Sequence, residues 1–303
     1  MSELREVAVP VATVWRSPEA PRDVDEAALR DHADAAAWAD SMDKAVRLGL
    51  HGRTDTQLLL GEPLELLEER GGWSRVVALW QRSSRDERGY PGWVRTAHLG
   101  APVDRSDGAT AYVAVRSARL QVEDAAAVDL SFGTVLWVDS VADDRVVVAL
   151  PGGRTGSLDR AAVRLSDKAE APPYDVGAVL DAARQFLGVR YLWGGTSTWG
   201  LDCSGLVHLS WRGQGVLLPR DAHDQAASPH VEKVPLDAVR PGDLYFFARP
   251  GQPIYHVGFV TRPVAEDGTR WMLHAPEGGE LIEDAPLAPH RVETLVSAGR
   301  VTR

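Results

Sequence analysis

Cysteine is all but missing: Cys203 is the single one in 303 residues. A lone thiol excludes an internal disulfide and any zinc site built from several cysteines. Long apolar runs are missing too, and no stretch approaches the roughly 18 apolar residues of a membrane span. Positive charge is in deficit, with 33 Lys and Arg against 43 Asp and Glu and a formal net charge of −10. That balance argues against nucleic acid or an anionic membrane as main partner, since both would be repelled. An export signal is also wanting. Val7-Ala8-Val9-Pro10-Val11-Ala12 is apolar, but Glu3, Arg5 and Glu6 precede it and Pro10 interrupts it. It reads as an edge strand. A free thiol without an export signal points to a reducing, cytoplasmic setting.

What is present suits two or three domains, with 44% hydrophobic residues to fill their cores. Three blocks emerge. The first, 1–101, carries short strand candidates (Val7–Trp15, Gln57–Leu60, Pro63–Glu68, Trp73–Leu79, Tyr90–Val94) parted by turn signals such as Gly71-Gly72. Alanine content and the spacing of Leu29, Ala33, Ala36 and Ala37 predict an inserted helix near 25–42. The second block, 102–168, repeats the short-strand style, as small β-barrels do. Asp167–Pro173 reads as a linker. The third, 174–303, opens with a helix capped by Asp175 and continues with helix-then-strand patterning. The fold class is therefore α+β: two small β-barrels followed by an α+β domain.

The chemistry gathers in the third block. Cys203 falls where a helix with Leu206, Val207 and Trp211 on its buried face should begin. Helix N-termini present unpaired N–H groups that favour a thiolate. His256 opens one strand candidate and His274 closes another, so adjacent strands could set them side by side. His256 would be the base and His274 its orienter. His208 lies on the Cys203 helix but about 140° around it, a poor partner. Asp202, His223 and His230 match no zinc spacing, and neither metal nor cofactor is expected. Taken alone, a lone cysteine is more often a small buried hydrophobe than a nucleophile.

The two β blocks resemble bacterial SH3 domains. Trp73 in Gly-Gly-Trp-Ser-Arg-Val and the Gly89-Tyr90-Pro91-Gly92-Trp93-Val94 ending carry the likeness; the second block lacks a tryptophan ending. Tyr191-Leu192-Trp193-Gly194-Gly195, Asp202-Cys203-Ser204-Gly205-Leu206, Arg240-Pro241-Gly242-Asp243-Leu244, His256-Val257-Gly258-Phe259-Val260 and His274-Ala275 stand in the order of the NlpC-type cell-wall peptidases, which are papain-like in fold. The resemblance implies Cys203 as nucleophile, His256 as general base and His274 as third member. Tyr191 would help form the oxyanion region, and Asp202 and Ser204 would line the substrate cleft.

The whole chain resembles the branch of that family in which two SH3 domains precede the peptidase. Such enzymes cleave the γ-D-Glu–L-diamino acid bond of murein tri- and tetrapeptides and require a free N-terminal L-alanine. The resemblance implies that Glu62, Tyr90 and Asp221 hold that ammonium. By residue type alone, Glu62 reads as a solvated turn residue and Asp221 as a helix cap. Ala222 departs from the small hydroxyl residue expected after the aspartate, and the helix near 25–42 has no counterpart in the pattern. The leading expectation is a monomeric cytoplasmic enzyme of murein-peptide recycling. The alternatives are a secreted hydrolase anchored to intact wall by its SH3 modules and a catalytically dead murein-binding protein.

Overall fold

Pro10 has no N–H to give a sheet, and the first apolar run breaks there. A computed structural model, describing residues 3–105, 107–123, 125–167, 174–277 and 281–302, places β1 (Glu3–Val7) before it and β2 (Val11–Trp15) after it. The rest of the first sheet is β3 (Thr54–Leu59), β4 (Pro63–Arg70), β5 (Trp73–Ala78), β6 (Tyr90–Arg95) and β7 (Leu99–Gly100). Its order is β3-β2-β6-β5-β4-β1-β7. The expected edge strand is therefore interior: β1 pairs with β4 and β7, and β2 with β3 and β6.

The single helix expected near 25–42 is instead α1 (Glu26–Leu29) and α2 (Ala35–Ser41), followed by α3 (Lys44–Leu48). Aspartates cause the breaks. Asp34 accepts from the Ala37 N–H and Asp43 from the Val46 N–H, each at 2.9 Å, so each starts a new helix. The insertion is anchored by Trp38, which packs 6.0 Å from Trp15 and donates to Asp25.

The second sheet comprises β8 (Ala109–Val113), β9 (Ser117–Val122), β10 (Val128–Ser131), β11 (Val135–Val141), β12 (Arg145–Leu150), β13 (Arg154–Asp159) and β14 (Val163–Asp167). Its order, β10-β9-β13-β12-β11-β8-β14, repeats that of the first sheet strand for strand. The difference lies in one connection. Residues 16–53 join β2 to β3, whereas 123–127 join β9 to β10. Apart from Asp167, the expected linker lies outside the described residues.

The third unit begins with α4 (Val176–Arg184), the hairpin β15 (Thr196–Ser197) and β16 (Gly200–Leu201), α5 (Cys203–Arg212) and α6 (Ala222–Ala227). Then come β17 (Val231–Val234), β18 (Leu244–Ala248), β19 (Ile254–Val260), β20 (Trp271–His274), β21 (Glu283–Pro286), α7 (Pro289–Thr294) and β22 (Leu295–Val301). The strands form one antiparallel sheet, β17-β22-β18-β19-β20-β21, so the unit is α+β as expected. Every residue of α5 is buried. Leu206, Val207 and Leu209 are fully covered, each worth about 1.5–3 kcal/mol of transfer free energy. Among the described residues no helix is long and apolar enough to cross a membrane.

The units are joined by polar side chains. All six residues of β3, an edge strand of the first sheet, are buried. Gln57 accepts from Thr196 and Ser197 on the hairpin, and Trp193 exchanges hydrogen bonds with Thr54. The next residue of the hairpin, Thr198, bonds Ser131 and the Arg116 carbonyl of the second sheet. The segment leading into Cys203 is thus held by both β units.

Candidate active site

Asp202 starts α5. Its Oδ1 accepts from the Gly205 N–H at 2.7 Å, while Oδ2 accepts from the Gly194 N–H at 2.9 Å. Gly205 is dictated by packing, since a Cβ there would sit 2.1 Å from the Gly195 carbonyl oxygen. Arg220 grips Asp202 with both arms, at 3.0 and 2.7 Å, and also reaches Ser204 and Thr56. The network fixes the first turn of the helix and the thiol with it. Asp202 and Ser204 are 8% and 5% exposed. Their side chains bond Arg220 and the helix cap.

The two histidines meet as the strand pattern predicts. Phe259 pairs with Leu273 and Val260 with Met272, and continuing that register sets His274 opposite Gly258. A Cβ on Gly258 would lie 2.8 Å from the His274 Cβ. Its absence lets the His274 ring lean across to His256, two residues back on the same face. His256 Nε2 and His274 Nδ1 are 2.8 Å apart. His274 Nε2 lies 3.4 Å from Glu283, its partner in β21. One tautomer satisfies this chain: His256 donates from Nε2, and His274 keeps its proton on Nε2 toward Glu283. His256 Nδ1 is then left as a lone pair, and it is buried without a partner. The backbone of Val257, the residue next to His256, acts on the Cys203 thiol in the direction that favours its thiolate.

Burial governs the charges here. It pushes the Cys203 thiol up to about 12, with the Asp202 carboxylate adding to the rise. It holds His256 well below the usual imidazole range and His274 down at about 3, with the Arg291 guanidinium pushing both further. Burial therefore disfavours both charged partners, the thiolate and the imidazolium, and works against the ionisation that a helix N-terminus favours. Tyr191, buried beside Cys203, is raised well above the phenol range, chiefly by burial, so it keeps its proton as a donor. His208 is also buried neutral, at about 3, with Nδ1 on the Leu218 carbonyl.

These histidines set an acid limit. On unfolding they regain the ordinary pKa near 6.5 and bind protons that the native state refuses, so stability falls as pH drops below that value. Each contributes on the order of 1–2 kcal/mol of loss between pH 7 and pH 5. The urea midpoint is expected to drop clearly over that interval; an unchanged midpoint would refute the buried neutral state.

Beyond the thiol, two units meet at a second polar cluster. The Tyr90 hydroxyl, from the first sheet, donates to Asp221 Oδ2 at 3.0 Å. Asp221 occupies the N-cap position of α6, yet its side chain makes no capping bond. Burial raises its carboxyl above the ordinary range. Asp55 completes the cluster: Arg85 pairs with it at 3.0 Å and lies 5.1 Å from the Tyr90 ring. Ser84, in the same loop, donates from its backbone to Asp224 on α6. Asp221, His223 and Asp224 bring ligand-type atoms within 4.8 Å of one another, a set that could also receive a cation.

Glu62 is not part of this cluster, and its expected role is corrected. It is 1% exposed, accepts from the Leu59 N–H and pairs with Arg212. Arg212 ends the helix that Cys203 begins, roughly 13 Å along its axis. Removing Glu62 strands a buried guanidinium. Glu62→Ala is expected to cost about 3–5 kcal/mol in denaturant unfolding. A change in substrate preference without that loss would argue the other way.

Two family models match the sequence: the NlpC/P60 family over residues 188–300 and the bacterial dipeptidyl-peptidase SH3 domain over residues 50–99. A Bacillus subtilis protein named gamma-D-glutamyl-L-lysine dipeptidyl-peptidase is 33% identical over 90% of both chains. A Bacillus cereus protein of the same name is 29% identical over 97% of this chain and 90% of its own. The crystal structure of an NlpC/P60 family protein from Bacillus cereus superposes with a TM-score of 0.92 at 27% identity, covering 99% of this chain and all of the other. With the strand-paired histidines, the cysteine at its helix start and a relative this similar along nearly its whole length, the chain belongs to the NlpC/P60 family of cysteine peptidases.

Proposed function

We propose that this peptidase hydrolyses the γ-D-Glu–L-diamino acid bond of murein peptides that carry a free N-terminal L-Ala, releasing L-Ala-γ-D-Glu in wall-peptide recycling. The observation that carries this specificity is the hydrogen bond from Tyr90 to Asp221. It would close one end of the site with a hydroxyl and a half-buried carboxylate that no helix cap uses. A terminal ammonium suits that environment; an amide, as in a glycan-linked stem, brings no charge to it. The names of the two Bacillus relatives agree with this substrate class. Asp55 takes the place that Glu62 was expected to fill.

In the reaction His256 Nδ1 accepts the Cys203 proton as sulfur attacks the γ-carbonyl carbon of D-Glu. The N–H of Cys203 and the Tyr191 hydroxyl receive the developing oxyanion. The imidazolium then protonates the leaving amine of the diamino acid, and water resolves the thioester with His256 again as base. His274 and Glu283 hold the imidazole in the required tautomer. Residues 1–101 form one SH3 domain with its helical insertion, 102–168 a second with the same strand order, and 174–303 the peptidase. The second serves as a structural spacer.

The test is an incubation with L-Ala-γ-D-Glu-L-Lys, its diaminopimelate form, their N-acetylated analogues and purified sacculi, products being read by mass spectrometry. Release of L-Ala-γ-D-Glu from the free-amine peptides alone is expected. Equal cleavage of acetylated peptide or sacculi would favour a wall hydrolase.

A further inference from the structure

Arg212 pairs with Glu62 through one nitrogen only. Its Nε and Nη2 are buried and have no partner, although the residue is just 2% exposed. Its guanidinium lies 5.1 Å from the Trp80 ring. Arg164, from β14 of the second sheet, arrives at the same place. It donates to the carbonyl of Gly213, the neighbour of Arg212, and stacks 4.5 Å from Tyr112. Among the described residues no carboxylate pairs with Arg164. Two guanidiniums therefore lie side by side where only Arg212 pairs with a carboxylate, and two buried N–H donors of Arg212 are left open.

Both open onto a cavity of roughly 1310 Å³ where the three units meet. None of Cys203, His256 or His274 lines it, so it is separate from the candidate active site. Trp80, Tyr112 and Trp137 contribute aromatic walls. Five arginines and three acidic residues line it, in a chain whose net charge is −10. Of the arginines, Arg82 has no side-chain partner among the described residues. An acidic protein has here kept a basic, aromatic-walled chamber of the size that holds small ligands.

We infer that this cavity binds a small ligand bearing an oxyanion, carboxylate or phosphate, held by the open donors of Arg212 and Arg164 with a flat portion against Trp80. The guanidinium fork matches either anion bidentately, and the ring accepts a planar group.

Calorimetric titration of the intact chain with phenyl phosphate, benzoate and inorganic phosphate tests this. Saturable, mutually competitive binding is expected, with phenyl phosphate at least about 10-fold tighter than inorganic phosphate. Arg164→Gln, at a half-buried position, and Arg212→Lys, which keeps the charge facing Glu62, are each expected to weaken phenyl phosphate at least about 10-fold. The tighter of phenyl phosphate and benzoate identifies the anion. No saturable heat, or affinity undiminished in both folded variants, overturns the site; equal affinity for phenyl and inorganic phosphate overturns the stacking. Peptide cleavage is not the readout, so the outcome is independent of the proposed peptidase specificity.

Discussion

Cys203→Ala is expected to lower kcat/KM on L-Ala-γ-D-Glu-L-Lys by at least about 10³-fold, with the peptide still bound. The thiol is the proposed nucleophile at the start of α5, and alanine removes it without disturbing the Asp202 cap or the Arg220 clamp. His256→Ala should fall almost as far, because a thiol held up at about 12 is inert without a base at hand. The double variant should be little worse than either single one, as for groups that act as a unit. Residual activity of Cys203→Ala within about 10-fold of wild type would remove Cys203 from the mechanism.

N-acetylation of the substrate is expected to cost about 10⁴-fold in kcat/KM, the scale on which a site with unpaired buried polar groups rejects the wrong ligand. Asp221→Asn should abolish most of that discrimination by slowing the free-amine peptide. Its amide oxygen still accepts from Tyr90, so the wall survives and only the charge is lost. Acidity should act in the same direction. Burial raises the Asp221 carboxyl, so ammonium binding weakens as pH falls through that raised value, and KM should climb on the acid side. An Asp221→Asn enzyme that keeps the full preference would dismiss the ammonium site. Asp55→Asn should behave alike, whereas Glu62→Gln should not.

Cys203, His256 and His274 were legible because each sits in a local pattern: an apolar helix face after the cysteine, a strand before or after each histidine. Gly258 even shows between them why they can touch. Asp55 was not legible. In Thr54-Asp55-Thr56-Gln57 its polar neighbours suggest a solvated strand, yet they are polar because they bond another unit. Glu62 was misassigned for a related reason, since nothing near it in sequence announces Arg212, 150 residues away. The fold shows the same division. Strands with clean alternation were found close to their true limits. β22 was missed because burial along it is irregular, with Val296 exposed although its strand lies between β17 and β18. Helix boundaries in 25–42 turned on aspartate caps that overrode the alanine-rich pattern.

β3 lies at the rim of its sheet, yet none of its residues reaches solvent. A fragment ending before the peptidase would uncover that rim, with Leu59 beside unpaired backbone groups, and such rims recruit other chains. The first β unit is therefore a poor module to express or graft by itself: freed of its neighbour it should aggregate. If the proposed amine site is right, solubility and selectivity share one seam and should be lost together when it is cut.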